Sequence, residues 1–360
     1  MPRGAGGGAG RRAGSGRLAI VHAVRTDEFA GVERYVTEVS TSLAARGHRV
    51  AVIGGDPERM RAELPPNVPH QAARTVAQTA AALFDWRQVD LVHVHMTATE
   101  IAAALVHPVT RSPIVATRHF AAGRGSSPAA RVLARWASRS ITRDIAISRF
   151  VAEQIRAPSE LIPNGVAERP AAALDAPVVL VLQRLAPEKD PDVALRAWAR
   201  CRLADQGWRL VVAGSGERAG DLVRLAGELG VAGSVEFAGR VRDTDVLLAG
   251  ASIFLATAPG EPFGLSVVEA MAHGLPVVAA AGGGHLETVA DAGVLFPPGD
   301  VGAAAAALTE LAGSRQRRVE VGRALRRRQQ ELYSLDHHVD RLEEVYREVV
   351  SGSRRRHSSH

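Results

Sequence analysis

Short runs of aliphatic and β-branched residues recur along the chain, each followed by a longer stretch whose apolar positions repeat every three or four residues. In the first half these runs are Arg17–Val24 (RLAIVHAV), Arg49–Gly55 (RVAVIGG), Asp90–His95 (DLVHVH), Pro113–His119 (PIVATRH) and Asp144–Ser148 (DIAIS). They are nearly continuous in apolar character, which predicts strands buried on both faces. The intervening stretches read as helices: in Val32–Arg46, residues Val32, Val36, Val39, Leu43 and Ala44 share a face. Strands and helices alternating in this way predict parallel sheets covered on both sides.

The pattern then starts again. SELIPNGV closes the first series, and the Ala/Pro-rich stretch 167–177 reads as a linker. Beyond it come Val178–Leu185, Trp208–Gly214, Ser234–Val241, Ala251–Ala258, Leu275–Ala281 and Gly293–Asp300, again separated by helical patterns. The expected architecture is α/β: two Rossmann-like, doubly wound domains, 17–166 and 178–335, facing across a cleft. A final helix over Asp336–Val350 carries Val339, Leu342, Val345, Tyr346 and Val349 at helical spacing and needs a surface to cover that stripe. Residues 1–16 and 351–360 read as basic tails, the first of them disordered. Trp86, Trp136, Trp198 and Trp208 fall in helical or strand patterns and are expected in the core. Ligands of open α/β sheets bind beyond the carboxyl ends of the strands, so the chemistry belongs to the loops there.

Composition narrows the class. Of 360 residues, 46% are apolar and 23% charged, as in a water-soluble globular protein. No apolar run approaches the roughly 20 residues that span a bilayer, and the Gly/Arg-rich N-terminus lacks the apolar segment of a signal peptide. Cys201 is the only cysteine, which excludes an intrachain disulfide. A cytoplasmic enzyme is the simplest fit. The net charge is +6, and much of the surplus lies in the N-terminal stretch, Arg326–Arg328 and Arg354–Arg356. These runs read as solvated surface. They lack interleaved aromatic residues and the signatures of nucleic-acid-binding modules, which argues against nucleic acid as a partner. Peripheral contact of the tails with anionic lipid at the inner membrane face stays open. Lys189 is the only lysine among 44 basic residues: either its site wants a compact ammonium, or it is a chance survivor.

The loops supply the chemistry. The stretch GEPFGLSVVEAMAHGLPVVAAAGGG, residues 260–284, follows a predicted strand and opens a helix near Ser266. Glu261 stands on the loop, facing the cleft. Phe263, Gly264 and Leu265 offer amides at the helix N-terminus, where phosphate binds. Ser266 and Glu269 fit a capping box, so Glu269 either caps its helix or binds ligand. Carboxylates for sugar hydroxyls beside amides for phosphate suit a nucleotide sugar. Arg184 and Lys189, on the loop QRLAPEKD, suit its diphosphate. Gly31 opens the first helix after TDEFA, His119 ends a strand, and Asn164 lies at the interdomain hinge.

Taken in order, GVERYVTEVSTSLAARGHRVAVI, DLVHVH, IPNGV, QRLAPEKD, RLVVAGSGER, VEFAGRV, the two-glutamate stretch and LFPPGD resemble the retaining nucleotide-sugar glycosyltransferases of glycosyltransferase family four, which have the GT-B fold. The resemblance covers nearly the whole chain. It implies that Glu261 holds donor-sugar hydroxyls, with the amides of Phe263 to Leu265 on sugar or phosphate, and that Glu269 holds the ribose. It implies that Arg184 and Lys189 neutralise the leaving diphosphate, that Gly31 approaches the phosphates, and that His119 lies at the reaction centre. Asn164, Gly214, Arg240 and Val241 join the donor-binding set. It further implies a nucleoside-diphosphate-sugar donor with UDP favoured over GDP, a hydroxyl acceptor chosen by the first domain around Thr117–Arg131, no cofactor and no metal. The last helix is expected to cross back to the first domain. Three departures stand out: Ala30–Gly31 where paired glycines are frequent, His285–Leu286 where a proline is usual, and LDHH (Leu335–His338) where an aromatic residue is common.

Other readings remain. Gly214, Gly216 and Ala219 fit the dinucleotide pattern, with Glu236 twenty residues after Gly216, but Glu236 falls at the start of its strand, away from where ribose would lie. A nucleotide-sugar epimerase of the same fold and a catalytically silent nucleotide-sugar-binding protein are the alternatives within the fold. His93 and His95 share a strand face, and with His107 and His119 they invite a metal reading. No cysteine or carboxylate cluster joins them, and they read as polar residues at strand ends.

Overall fold

A computed structural model describes residues 16–25, 31–121, 127–155 and 158–357. The expectations for the extreme N-terminal tail, for Ala30 and for the middle of Thr117–Arg131 concern residues outside this set. The first series of apolar runs forms one parallel sheet of seven strands: β1 (Ala19–Val24), β2 (Arg49–Gly54), β3 (His70–Gln71), β4 (Leu91–Val94), β5 (Ile114–Arg118), β6 (Ile141–Ala146) and β7 (Glu160–Leu161), in the order β3-β2-β1-β4-β5-β6-β7. Its helices are α1 (Gly31–Ala45), α2 (Pro57–Glu63), α3 (Val76–Asp85), α4 (Thr97–Thr110), α5 (Pro128–Ala137) and α6 (Arg149–Ile155). The second sheet has six parallel strands, β8 (Val178–Leu182), β9 (Arg209–Ala213), β10 (Val235–Gly239), β11 (Ile253–Ala256), β12 (Val277–Ala280) and β13 (Val294–Phe296), ordered β10-β9-β8-β11-β12-β13. Around it lie α7 (Pro191–Cys201), α8 (Ala219–Glu228), α9 (Thr244–Ala249), α10 (Leu265–Ala272), α11 (His285–Thr288), α12 (Val301–Gly313) and α13 (Arg315–Leu332). The chain ends in α14 (Leu335–His357).

Continuous apolar runs follow from burial on both faces. In β1, Ile20 and Val24 pack into a core shared with α1 and α14, while Val21 and Ala23 pack into a second core with α3 and α4. Chain order reverses between β1 and β4 and again between β8 and β11, which opens a crevice at the carboxyl end of each sheet.

The last helix crosses back as expected. Val339, Leu342, Val345, Tyr346 and Val349 are buried in the first domain's core, and each such burial contributes about 1.5–3 kcal/mol. The crossing is pinned at the hinge, where the Val166 amide donates to Tyr333 O at 2.9 Å and the Leu335 amide to Val166 O at 3.0 Å. The helix continues seven residues past the expected end at Val350.

Three further expectations need correction. β6 begins at Ile141, not Asp144, because its polar positions have partners: Arg143 pairs with Glu160 at 3.1 Å, and Asp144 pairs with Arg118 at 2.5 Å. Trp136 is 39% exposed, because α5 buries its alanines Ala134 and Ala137 and turns its large residues outward. The basic runs are not simply solvated. Arg326 Nη2 donates to Arg169 O (2.7 Å), Arg328 Nη2 to Glu287 O (2.7 Å), and Arg354 pairs with Asp90 (2.7 Å).

Candidate active site

The loop after β11 turns into α10 one residue earlier than the sequence suggested. Gly264 is the N-cap, in the left-handed region at φ 90°, and no side chain caps the helix. The Ser266/Glu269 capping box therefore does not form. Glu269 is occupied elsewhere: its Oε1 accepts from Arg34 Nη1 of α1 at 3.0 Å, and Arg34 also donates to Thr244 Oγ1 at 2.7 Å. Burial raises the Glu269 carboxyl above the usual range, and the Arg34 guanidinium counters it. The Arg34–Glu269 contact spans the interdomain cleft.

Glu261 and the lone lysine meet directly, with Lys189 Nζ 2.5 Å from Glu261 Oε2. The tight turn at Pro187–Lys189 is fixed from behind, where Lys189 O accepts from Gln183 Nε2 (3.2 Å) and Thr257 Oγ1 (2.8 Å). Arg184 projects farther into solvent and pairs with Glu188 at 2.5 Å. The first domain braces the same loop: Ser148 Oγ donates to Pro262 O (2.6 Å). Glu287 of α11 accepts from the Arg149 and Phe150 amides at the start of α6 (2.9 and 3.0 Å). Gly282–Gly284 admit this loop. A Cβ on Gly282 would fall 1.9 Å from Pro259 O, and one on Gly284 2.7 Å from Phe263 Cα.

Gly214 has a comparable reason to be glycine. Its φ is +143°, and a Cβ there would fall 1.9 Å from Gln183 O, so it lets the loop after β9 lie against the end of β8. Glu236, which accepts from Arg209 Nη1 at 3.3 Å near the opposite end of the sheet, is remote from that glycine. The dinucleotide pattern thus has a packing explanation.

A buried imidazole chain leads inward from the first domain's side of the cleft. His119 Nε2 lies 3.2 Å from His95 Nδ1, and His95 Nε2 lies 2.9 Å from His22 Nδ1. Beside them His93 bridges Tyr346 OH (2.6 Å) and Thr117 Oγ1 (2.7 Å), and Tyr35 OH meets His338 Nε2 at 2.9 Å. His93 lies within β4 and is fully buried, not at a strand end. Burial holds these rings neutral: His22 and His119 are lowered to about 3 and His338 to about 4. Among the described residues, His22, His93 and His95 form the only group with the composition of a metal site. Both ring nitrogens of His93 and of His95 are already engaged in hydrogen bonds, while His22 Nε2 has no hydrogen-bond partner. An ion bound by all three would have to displace part of that network.

Two interdomain cavities take in every residue that the resemblance assigned to catalysis or donor binding. One of about 600 Å³ is lined by Gly31, His119, Asn164, Arg184, Lys189, Glu261, Phe263, Gly264 and Leu265. The other, about 270 Å³, is lined by Arg184, Gly214, Arg240, Val241 and Glu269. Asn164 is buried, and its Oδ1 has no hydrogen-bond partner, so it can serve a ligand in the larger cavity. Sequence reasoning missed Arg34 and the polar flank beyond it, a third cavity of about 740 Å³. There Arg169 bridges Glu38 (3.4 Å) and Asp245 (3.0 Å). Burial, together with neighbouring Glu269, raises Glu38 to about 7.

Residues 29–169 match the family model Glycosyltransferase Family 4, and residues 167–328 match Glycosyl transferases group 1. The chain belongs to glycosyltransferase family 4. This family 4 member is 40% identical over 147 residues to the D-inositol 3-phosphate glycosyltransferase of Mycobacterium tuberculosis, a stretch covering 38% of this chain and 30% of that protein. It is 35% identical over 158 residues to an exopolysaccharide phosphotransferase of Streptomyces coelicolor, covering 42% of this chain and 17% of that protein. The matched stretches thus span less than a third of these relatives. Two solved structures share the fold. HepE from Anabaena, in complex with UDP and glucose, aligns with a TM-score of 0.80 at 20% identity, over 91% of this chain and 99% of that one. Sucrose-phosphate synthase from Thermosynechococcus elongatus aligns with a TM-score of 0.78 at 21% identity, over 93% of this chain and all of that one. The two facing parallel-sheet domains are those of the GT-B fold.

Proposed function

We propose that the chain transfers a glycosyl group from a nucleoside-diphosphate sugar to a hydroxyl acceptor. The observation that carries this reading is the arrangement around α10: Glu261 and Glu269 flank the start of one helix, whose free amides open into the cavity shared with Lys189 and His119. In this reading Glu261 holds donor-sugar hydroxyls and Glu269 holds the ribose. The amides near Phe263 to Leu265 take the diphosphate. UDP is the favoured nucleotide of the donor, in keeping with the UDP and glucose bound by the structurally similar HepE.

Departure of a nucleoside diphosphate builds negative charge on its β-phosphate. Lys189 and Arg184 offset that charge as it develops, which is where stabilisation accelerates the step. With those cations and the helix amides in place, the proposed chemistry needs no divalent ion. The acceptor hydroxyl attacks on the face the diphosphate leaves, a phosphate oxygen takes its proton, and configuration is retained. No carboxylate becomes covalently glycosylated. His119, neutral and buried, orients the donor sugar and is too weak a base to deprotonate the acceptor. Donor entry requires the Lys189–Glu261 pair to open, because both groups are assigned to the donor, while Arg34 stays on one oxygen of Glu269 and keeps the buried carboxylate charged for the ribose.

Thermal-shift titration against a panel of UDP- and GDP-sugars tests the reading. A saturable shift with UDP-sugars, reduced in Glu269→Ala and Lys189→Ala, is expected. No shift with any nucleotide sugar would overturn it. Trapping a glycosyl ester on Glu261 would overturn the mechanism while leaving the donor class intact.

A further inference from the structure

One surface of the first domain takes no part in this chemistry. Between Glu100 and Asp144 the chain has no aspartate or glutamate but seven arginines. Two of the seven are used internally: Arg118 lies buried between Glu100 and Asp144, and Arg143 pairs with Glu160. Arg124 lies outside the described residues. The other four, Arg111, Arg131, Arg135 and Arg139, are exposed, and none forms an ion pair with a described residue.

The same surface turns its apolar residues the wrong way for a water-facing helix. In α5, Ala134 and Ala137 are buried, whereas Val132 is 65%, Leu133 48% and Trp136 39% exposed. Residues 132, 133 and 136 share one helical face, and Arg131 and Arg135 border it at their own i,i+4 spacing. α4, which packs against α5, exposes Leu105 (54%) and Val109 (65%) and is capped by Arg111. Large apolar side chains bordered by unpaired guanidinium groups are the composition of an interfacial helix lying on an anionic bilayer. A second copy of the chain fits poorly, since four arginines would face four arginines with no carboxylate between them.

We infer that the exposed face of α5, extended by the end of α4, docks on anionic membranes, with Val132, Leu133 and Trp136 entering the interface and the four arginines meeting lipid phosphates. The basic runs at Arg326–Arg328 and Arg354–Arg356 are poorer candidates, because Arg326, Arg328 and Arg354 already have partners within the protein. Docking through α5 brings to the lipid surface the domain assigned to acceptor choice. The inference concerns binding and does not depend on the donor assignment.

Its test is co-sedimentation of the full chain with vesicles of phosphatidylcholine, alone or mixed with phosphatidylglycerol. The expected result is binding to the mixed vesicles about tenfold or more above that to phosphatidylcholine alone, weakening as salt rises. Trp136 supplies a second readout: its emission shifts to the blue on binding, and Trp136→Phe binds with most of the shift lost, since Trp198 and Trp208 are already buried and Trp86 is half-buried with its indole N–H bonded to Gln71. Leu133→Asp combined with Arg135→Glu, both at exposed positions, abolishes vesicle binding while leaving thermal unfolding unchanged. Equal binding to both vesicle types, or undiminished binding by that double variant, would overturn the inference. So would self-association in solution that the same double variant abolishes.

Discussion

The two domains bring their groups to the cleft in different ways. In the second, the critical side chains lie close together in sequence: Glu261, the amides of 263–265 and Glu269 fall within nine residues, on one loop and the helix it starts. In the first, they come from strands and helices far apart in the chain. His22, His95 and His119 lie on or just beyond β1, β4 and β5, and Arg34 reaches across from α1 to Glu269. A site built on one loop can be read as a motif; a site built across a sheet exists only once the strands are aligned. The first kind should respond to substitution through turnover, the second through stability and protonation.

The largest effect is expected on the second domain's side. Glu261→Gln should lower kcat by roughly 10²–10³-fold, with the unfolding temperature nearly unchanged, in a transfer assay once a donor is found. Full activity in this variant would break the contrast at its strongest point. Arg34→Leu comes next. It leaves the Glu269 carboxyl buried without its cation, and should cost about 1–3 kcal/mol of stability and raise the donor KM about tenfold. Arg34→Lys should recover part of both. Denaturant unfolding and donor titration measure the two losses separately.

The imidazole chain gives a pH signature that belongs to the first domain. His22, His119 and His338 have folded values near 3 to 4, below the ordinary 6.5, so the unfolded chain binds more protons in that window. Their stabilising effect is complete above pH 6.5 and is lost as the pH falls toward 4, at roughly 2 kcal/mol per histidine by pH 5. Glu38, raised to about 7, works in the opposite sense: its proton uptake favours the folded state as pH falls. Unfolding followed from pH 7 to 5 should show a net loss, and His22→Leu should flatten the curve by one histidine's share. An unchanged slope would remove His22 from the account.

The smallest effect is the sharpest test of the α10 geometry. Ser266→Ala should change stability by less than about 0.5 kcal/mol, since no cap is lost; a working N-cap serine would cost about 1 kcal/mol.

Much of this was legible in the sequence, for identifiable reasons. Parallel strands buried on both faces leave continuous apolar runs, so most strands of both sheets, and the stripe of α14, could be read directly. Most of the residues expected in the two interdomain cavities lie at strand ends, on the loops that follow them or in the first turns of the next helices, where periodicity stops and chemistry shows. β6 was misplaced because its polar residues are satisfied by partners on other strands and helices. Arg34 was passed over because, on a helix with Glu38 four residues on, it reads as half of a surface pair. His22 gave one usable signal, a single polar residue inside an otherwise apolar strand. Trp136 was misjudged because helical spacing identifies a face without saying whether that face turns inward.

The crossing of α14 has a consequence for the order in which the protein can mature. Val339, Leu342, Val345, Tyr346 and Val349 complete a core whose other members begin at Leu18. As the chain leaves the ribosome, the first domain emerges early but lacks one wall of its interior until Val339–Val350 of the last helix have been made. The second domain, encoded later, contains nearly all of its own core and can close before its neighbour does. Synthesis and completion thus run in opposite orders along this chain, and the first domain's side of the cleft is the last part to take its final shape.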